Sequence, residues 1–109
     1  MELTNIPFTM TDWSTIPVTE HMGETGKAFW KTIDFGCVRV RMVEYSPHYK
    51  ADHWCKRGHI LLVLEGELIT QLEDGRVFTL TAGTSYEVQH DGEAHRSETR
   101  SGAKLFIVD

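Results

Sequence analysis

The sequence predicts an all-β fold in a single domain, a sandwich or barrel of short strands. Three observations lead there. From Gly26 onward, turn signals divide the chain into short runs: Asp34-Phe35-Gly36, Ser46-Pro47, Glu73-Asp74-Gly75, Thr81-Ala82-Gly83-Thr84, Asp91-Gly92 and Ser101-Gly102. The runs between them are β-rich, several with the two-residue alternation of a strand, and no stretch shows convincing helical periodicity. At 109 residues the chain is long enough for one core and too short for two.

Taken in order, residues 1–24 carry Pro7, Pro17 and Gly23 among scattered apolar residues and show no clear period. They read as an irregular arm with room for one short strand, lying over the barrel or a partner subunit; a lid over a pocket is the weaker reading. The barrel domain is expected over residues 25–109. Residues 28–33 are β-rich. Residues 37–45 alternate, with Val38, Val40 and Met42 on one face and Cys37, Arg39, Arg41 and Val43 on the other. Residues 60–64 are apolar on both faces, which suits a strand covered on both. Strands at 68–72, 77–80, 85–89, 94–99 and 104–108 complete the set, with Glu73-Asp74-Gly75 as a hairpin turn.

One stretch concentrates chemistry. Asp52-His53-Trp54-Cys55 is followed by Lys56-Arg57-Gly58 and then by His59 at the head of an apolar run. In an extended segment His53 and Cys55 share a face. A straight strand would carry His59 about 20 Å away from His53, so the polar, glycine-containing Lys56-Arg57-Gly58 is expected to reverse the chain and set His59 across a hairpin. Parity also puts His59 on the face of Leu61 and Val63. If that face is interior, the imidazole needs a buried partner, which a metal shared with Cys55 supplies. The bland alternative is a set of polar residues at a barrel mouth, each satisfied by hydrogen bonds.

His53-x-Cys55-x-x-x-His59, six residues, then Gly66 resembles the first motif of the cupin superfamily, His-x-His, three or four residues, Glu, six residues, Gly. Cys55 stands for the second histidine and His59 for the glutamate. The second motif, a glycine followed by Pro-x-Gly-x-x-His, is similar to Gly83 and then His90-Asp91-Gly92-Glu93-Ala94-His95. His95 matches the last ligand. His90 replaces the usual proline, the gap after Gly83 is one residue long, and Thr99 replaces a frequent asparagine. Asp52-His53-Trp54-Cys55 also resembles the small group of single-domain cupins named for a DHCW motif, whose biochemical role is largely unassigned. The resemblance covers roughly residues 25–109. It implies a double-sheet barrel of jelly-roll type, the ligand set His53, Cys55, His59 and His95, and a homodimer.

A thiolate with imidazoles suits zinc or iron, with nickel and copper also within range, rather than magnesium or calcium. Asp52 is expected either to steer a histidine or to lie solvated in its loop. Trp54 is expected to point away from the metal and to pack, and His48 is a weak reserve ligand. Tyr86 and His90 are candidates for pocket lining. Arg39 and Arg41 would form an anion-recognising wall if their face lined the barrel. Val38, Val40 and Met42 offer the better core face, so the arginines are expected outward, paired with surface carboxylates. Cys37 is expected as a small buried or half-buried hydrophobe. Ile60, Leu62 and Leu64 point opposite to His59, and an apolar stripe facing water calls for a cover, from the arm or a second subunit.

Composition narrows the function. Charged residues make up 25% and hydrophobic ones 40%, as in an ordinary globular protein. A net charge of −5 argues against nucleic acid or an anionic membrane as partner. With no apolar run of membrane length and no leader-like start at residues 1–10, a cytoplasmic location is expected, with both cysteines as thiols. The leading expectation is a metal-binding barrel that handles a small organic molecule, as an oxygenase, isomerase or lyase. The alternative is a non-catalytic module that senses a ligand or a metal, or keeps the metal as a structural element.

Overall fold

The computed structural model describes residues 1–109. A turn of 3-10 helix at Trp13–Thr15 precedes eight strands: β1 (Thr19–Met22), β2 (Lys27–Asp34), β3 (Arg39–Tyr45), β4 (His59–Leu72), β5 (Val77–Thr81), β6 (Ser85–Val88), β7 (His95–Glu98) and β8 (Ala103–Val108). All pairings are antiparallel. The larger sheet runs β1-β2-β3-β8-β4-β6, and the smaller one pairs β4 with β5 and β7. The result is the expected all-β barrel of two sheets. No helix is long and apolar enough to cross a membrane.

Strand β4 belongs to both sheets. Its first half pairs with β6 and β8, and from Glu67 onward it pairs with β5 and β7. The change falls at Gly66, whose φ of 81° suits glycine, and a Cβ there would lie 2.1 Å from the Gly102 carbonyl oxygen. A register shift between Val63 and Glu65 adds the local bend. The strands expected at 60–64 and 68–72 are therefore one strand. The chain turns the corner without leaving its ladder.

Burial follows alternation along β4. Leu61 and Val63 are buried, whereas Ile60 and Leu64 remain exposed at 42% and 39%. Leu105 and Ile107 of β8 face the same interior. Strand β3 departs from the expectation: Arg41 and Val43 are the buried face, and Val40 and Met42 lie outward and half-buried. Register explains this. Val43 pairs with Leu105 and Arg41 with Ile107, so the inward residues of β8 carry the arginine face inside with them. Cys37 is exposed rather than buried, with its thiol 3.6 Å from the Thr4 carbonyl oxygen.

The apolar core joins Val43, Leu61, Val63, Leu68, Leu80 and Leu105, with Trp30, Tyr45 and Tyr86 packed against it. Each wholly buried leucine contributes about 1.5–3 kcal/mol. In the arm, β1 pairs with β2, and Lys31 Nζ donates to the Trp13 carbonyl at 3.0 Å. Phe8 and Met10, by contrast, are uncovered.

Candidate metal centre

Backbone pairing brings the donors together. Cys55 forms an isolated bridge with His95, the first residue of β7: Cys55 N–H donates to the His95 carbonyl at 2.8 Å and His95 N–H to the Cys55 carbonyl at 3.0 Å. His59 opens β4 on the interior face of Leu61 and Val63. The partner of Leu61 across β6 is Tyr86, which places the phenol beside His59. The expected hairpin between Cys55 and His59 is absent; Cys55 opposes His95, and Lys56-Arg57-Gly58 leads on into β4. Gly58 is needed for a different reason. A Cβ there would meet the His90 backbone nitrogen at 2.4 Å, so only glycine admits the turn at residues 89–92.

The donor atoms of Cys55, His59 and His95 all lie within 4.8 Å of one another. His59 Nε2 and His95 Nε2 are 3.1 Å apart. His95 Nδ1 lies 2.9 Å from the Glu93 carbonyl oxygen, which can only accept, so Nδ1 carries the proton and the neutral ring presents its lone pair at Nε2. His59 Nδ1 is buried without a hydrogen-bond partner, and its nearest carboxylate oxygen is Asp109 Oδ2 at 3.8 Å. In the tautomer with its proton on Nδ1, facing that carboxylate, His59 also presents a lone pair at Nε2, to which Tyr86 Oη, 2.9 Å away, can donate. Two neutral imidazoles facing one another lone pair to lone pair repel unless a cation lies between them. Two imidazoles on one tetrahedral ion stand about 3.3–3.4 Å apart when each metal–nitrogen bond is about 2.0–2.1 Å. The donor set fits a borderline-to-soft divalent metal.

Charge is coupled across these donors. The neighbouring His95 holds the Cys55 thiol below its ordinary pKa, against the opposing effect of burial. Burial alone would lower His95, but its contacts with Cys55 outweigh that and raise it. Burial lowers His59 and so favours the neutral ring a metal requires. Burial also pushes the Tyr86 hydroxyl well up, which keeps it a donor.

The structure does not bring His53 to this cluster. Its side chain is 75% exposed, its Nδ1 is 2.6 Å from Asp52 Oδ1, and residues 52–53 form a bend rather than a strand, so the same-face argument fails there. His53 instead lines the mouth of the adjoining chamber. Asp52 is exposed, its carboxyl held below the usual range by the hydrogen bond with His53. His90 is exposed in its turn, with Nδ1 accepting from Gly58 N–H at 3.3 Å, and lies outside the chamber. Trp54 packs under the Arg96 guanidinium at 4.6 Å.

The chamber beside the cluster has a volume of about 270 Å³ and is walled by Trp30, Tyr45, Tyr49, Arg39, Arg41 and Asp109 among others. Asp109 was not anticipated from the sequence. Its carboxylate is wholly buried and accepts from Arg39 Nε (2.8 Å), Arg39 Nη2 (3.0 Å) and Arg41 Nη2 (2.9 Å). Burial would raise its pKa, but His59, Arg39 and Arg41 outweigh that and lower it strongly. A signal for it existed: Leu105, Ile107 and Asp109 share one parity, so the residue following two inward apolar side chains also points in. Tyr86 and His95 also wall a second cavity, of about 210 Å³, together with Phe78 and Leu80 of β5.

No protein-family model matches the sequence, and neither does any curated protein. Solved structures do resemble it. A predicted oxalate decarboxylase from Thermotoga maritima superposes with a TM-score of 0.78 at 16% identity, over 92% of this chain and 96% of that one. The polyketide cyclase RemF from Streptomyces resistomycificus gives 0.77 at 18% identity, over 94% and 78%. An RmlC-like cupin from Shewanella frigidimarina gives 0.71 at 18% identity, over 94% and 89%. At these identities the likeness concerns architecture, and it agrees with the two-sheet barrel. The chain has the cupin superfamily fold.

Proposed function

We propose that Cys55, His59 and His95 hold one divalent transition metal, zinc or iron before nickel or copper, and that the adjoining chamber presents a small organic molecule to it, as in an oxygenase, isomerase or lyase. The observation that carries this reading is the 3.1 Å approach of two imidazole Nε2 atoms beside a thiol, at the wall of a chamber. Three protein donors leave a position for substrate, whereas a purely structural site is usually closed by four. A metal there polarises a carbonyl or carboxylate oxygen of a bound molecule. The chain's own residues do the rest. The Glu93 carbonyl orients His95, Asp109 faces the distal nitrogen of His59, and Tyr86 offers a hydroxyl proton at the chamber wall. Both cysteines are unpaired, which suits a reducing compartment such as the cytoplasm.

The test is metal content and coordination. Chelator-stripped protein should take up one zinc or cobalt per chain. The cobalt form should show a thiolate-to-metal absorption band and a visible spectrum that changes when cyanide is added. No uptake overturns the metal reading; uptake with a spectrum indifferent to cyanide favours the closed, non-catalytic alternative.

The reading includes a homodimer. Ile60, Leu62 and Leu64 lie on the outer face of the larger sheet, where Leu62 pairs with Phe106 and Phe106 with Met42 to make a continuous apolar surface. A second copy laid on that face would cover it.

A further inference from the structure

We infer that the molecule taken by the chamber is an organic carboxylate, gripped at its acid group by arginine side chains beside the candidate metal centre; the inference rests on the proposed function only in turning the rest of that molecule toward Cys55, His59 and His95. The first support is charge. Arg39, Arg41, Arg57 and Arg96 all line the chamber, and Asp109 is the one carboxylate that lines it. Asp109 is already fully engaged by the fork of Arg39 and by Arg41 Nη2, with Arg57 Nε also 3.5 Å from its Oδ2. Apart from the Cys55 sulfur, the surplus positive charge has no further anionic partner in the chamber.

The second support is unused hydrogen-bonding capacity. Arg41 is 6% exposed, yet its Nε has no partner. The Arg96 Nε is likewise buried and unpaired, and its Nη2 meets only the neutral Gln71 side chain at 3.0 Å. A buried guanidinium donor without an acceptor is costly, and an incoming anion relieves that cost. The Arg41 guanidinium is also held in place by stacking over Trp30 at 4.4 Å. It is therefore organised before any ligand arrives.

The third support is shape and polarity. The grip that Arg39 makes on Asp109 is the planar, two-bond pairing typical of a guanidinium with a carboxylate, and the half-exposed Arg57 brings the same planar donor set to the chamber. Trp30, Tyr45, Tyr49, Leu61 and Ile107 supply an apolar wall for a carbon body attached to the acid group. That combination describes an organic acid more closely than inorganic phosphate.

The experiment uses the full chain, metal-free and zinc-loaded, with acetate, its neutral isostere acetamide, and inorganic phosphate as probes. The readout is the side-chain Nε–H resonances of the arginines. Acetate should shift Arg41 and Arg57 in the metal-free protein while acetamide does not, and the exposed Arg76 and Arg100 should stay in place as internal controls. Arg57→Gln, at a half-exposed position where folding is not at stake, should weaken acetate binding about tenfold. Arg41→Met should abolish binding, with Arg57→Gln carrying the test if that variant does not fold. Equal responses to acetate and acetamide overturn the inference, as does an acetate response confined to the zinc-loaded protein. Phosphate binding about tenfold tighter than acetate would replace the carboxylate with a phosphate ligand. Because the decisive arm is metal-free, failure to bind zinc and failure to bind the anion are separate results.

Discussion

His59 and His95 stand Nε2 to Nε2 at 3.1 Å although they are 36 residues apart in sequence and begin different strands. Each ring has its other nitrogen directed elsewhere, His95 to the Glu93 carbonyl and His59 toward Asp109. With the proton of each neutral ring on that other nitrogen, the contact is a convergence of lone pairs rather than an ordinary hydrogen bond. A proton or a metal ion resolves it, and the thiol of Cys55 alongside favours the metal.

Cys55→Ser should weaken zinc binding by more than about 100-fold, beyond the 10–100-fold that loss of a supporting group costs. His59→Ala and His95→Ala should do the same. Cys37→Ser and His53→Ala should leave affinity nearly unchanged, since Cys37 lies exposed against the arm and His53 projects to solvent with Asp52. Wild-type affinity should also fall with pH as protons compete for the thiolate and the imidazoles. Zinc titration of the five variants at two pH values checks this; an unchanged Cys55→Ser removes the thiol from the centre.

Tyr86→Phe should bind zinc about 2- to 10-fold more tightly than wild type. The phenol donates at 2.9 Å to the same His59 Nε2 lone pair that a metal would use, and a hydrogen bond of that kind is worth about 0.5–1.5 kcal/mol. Competition with a chromophoric chelator measures it. A loss of affinity greater than about tenfold would instead make Tyr86 an oxygen donor to the metal.

Asp109→Asn should destabilise the metal-free protein by about 3 kcal/mol at neutral pH, because it leaves Arg41 buried without its counter-charge. The wild-type carboxyl is depressed in the folded state, so its stabilisation is present above the unfolded value of about 3.9 and is lost as pH falls from there toward the folded value. The stability gap between wild type and Asp109→Asn should accordingly narrow below that pH. Urea unfolding at neutral and acid pH gives the comparison, and a gap independent of pH would contradict it.

The wild-type chain should be a dimer at micromolar concentration. Ile60→Glu combined with Leu64→Glu should yield a folded monomer, since both side chains are exposed on the apolar outer face and neither supports the core. Light scattering with circular dichroism separates loss of assembly from loss of fold. A monomeric wild type would leave the apolar face without a second copy to cover it.

The sequence by itself determined what depends on local periodicity. Strand alternation gave the all-β class, and parity along residues 59–64 put His59 on one face with Leu61 and Val63 and set Ile60 and Leu64 on the other; the first of these faces is the buried one. The spacing of His53, Cys55, His59 and His95 marked the region of the centre. It could not choose among them, because an i, i+2 argument holds only where the chain is extended, and residues 52–53 bend. Only the tertiary structure set Cys55 opposite His95, through a backbone bridge between segments 40 residues apart by their numbering. It also reversed the reading of β3. Alternation divides a strand into two faces without saying which is buried, and there the apolar Val40 and Met42 made the better local case. The register with β8 overrode it: once Leu105 and Ile107 turn inward, their partners Val43 and Arg41 must follow, and Asp109, on the same parity, meets the buried guanidiniums with its charge.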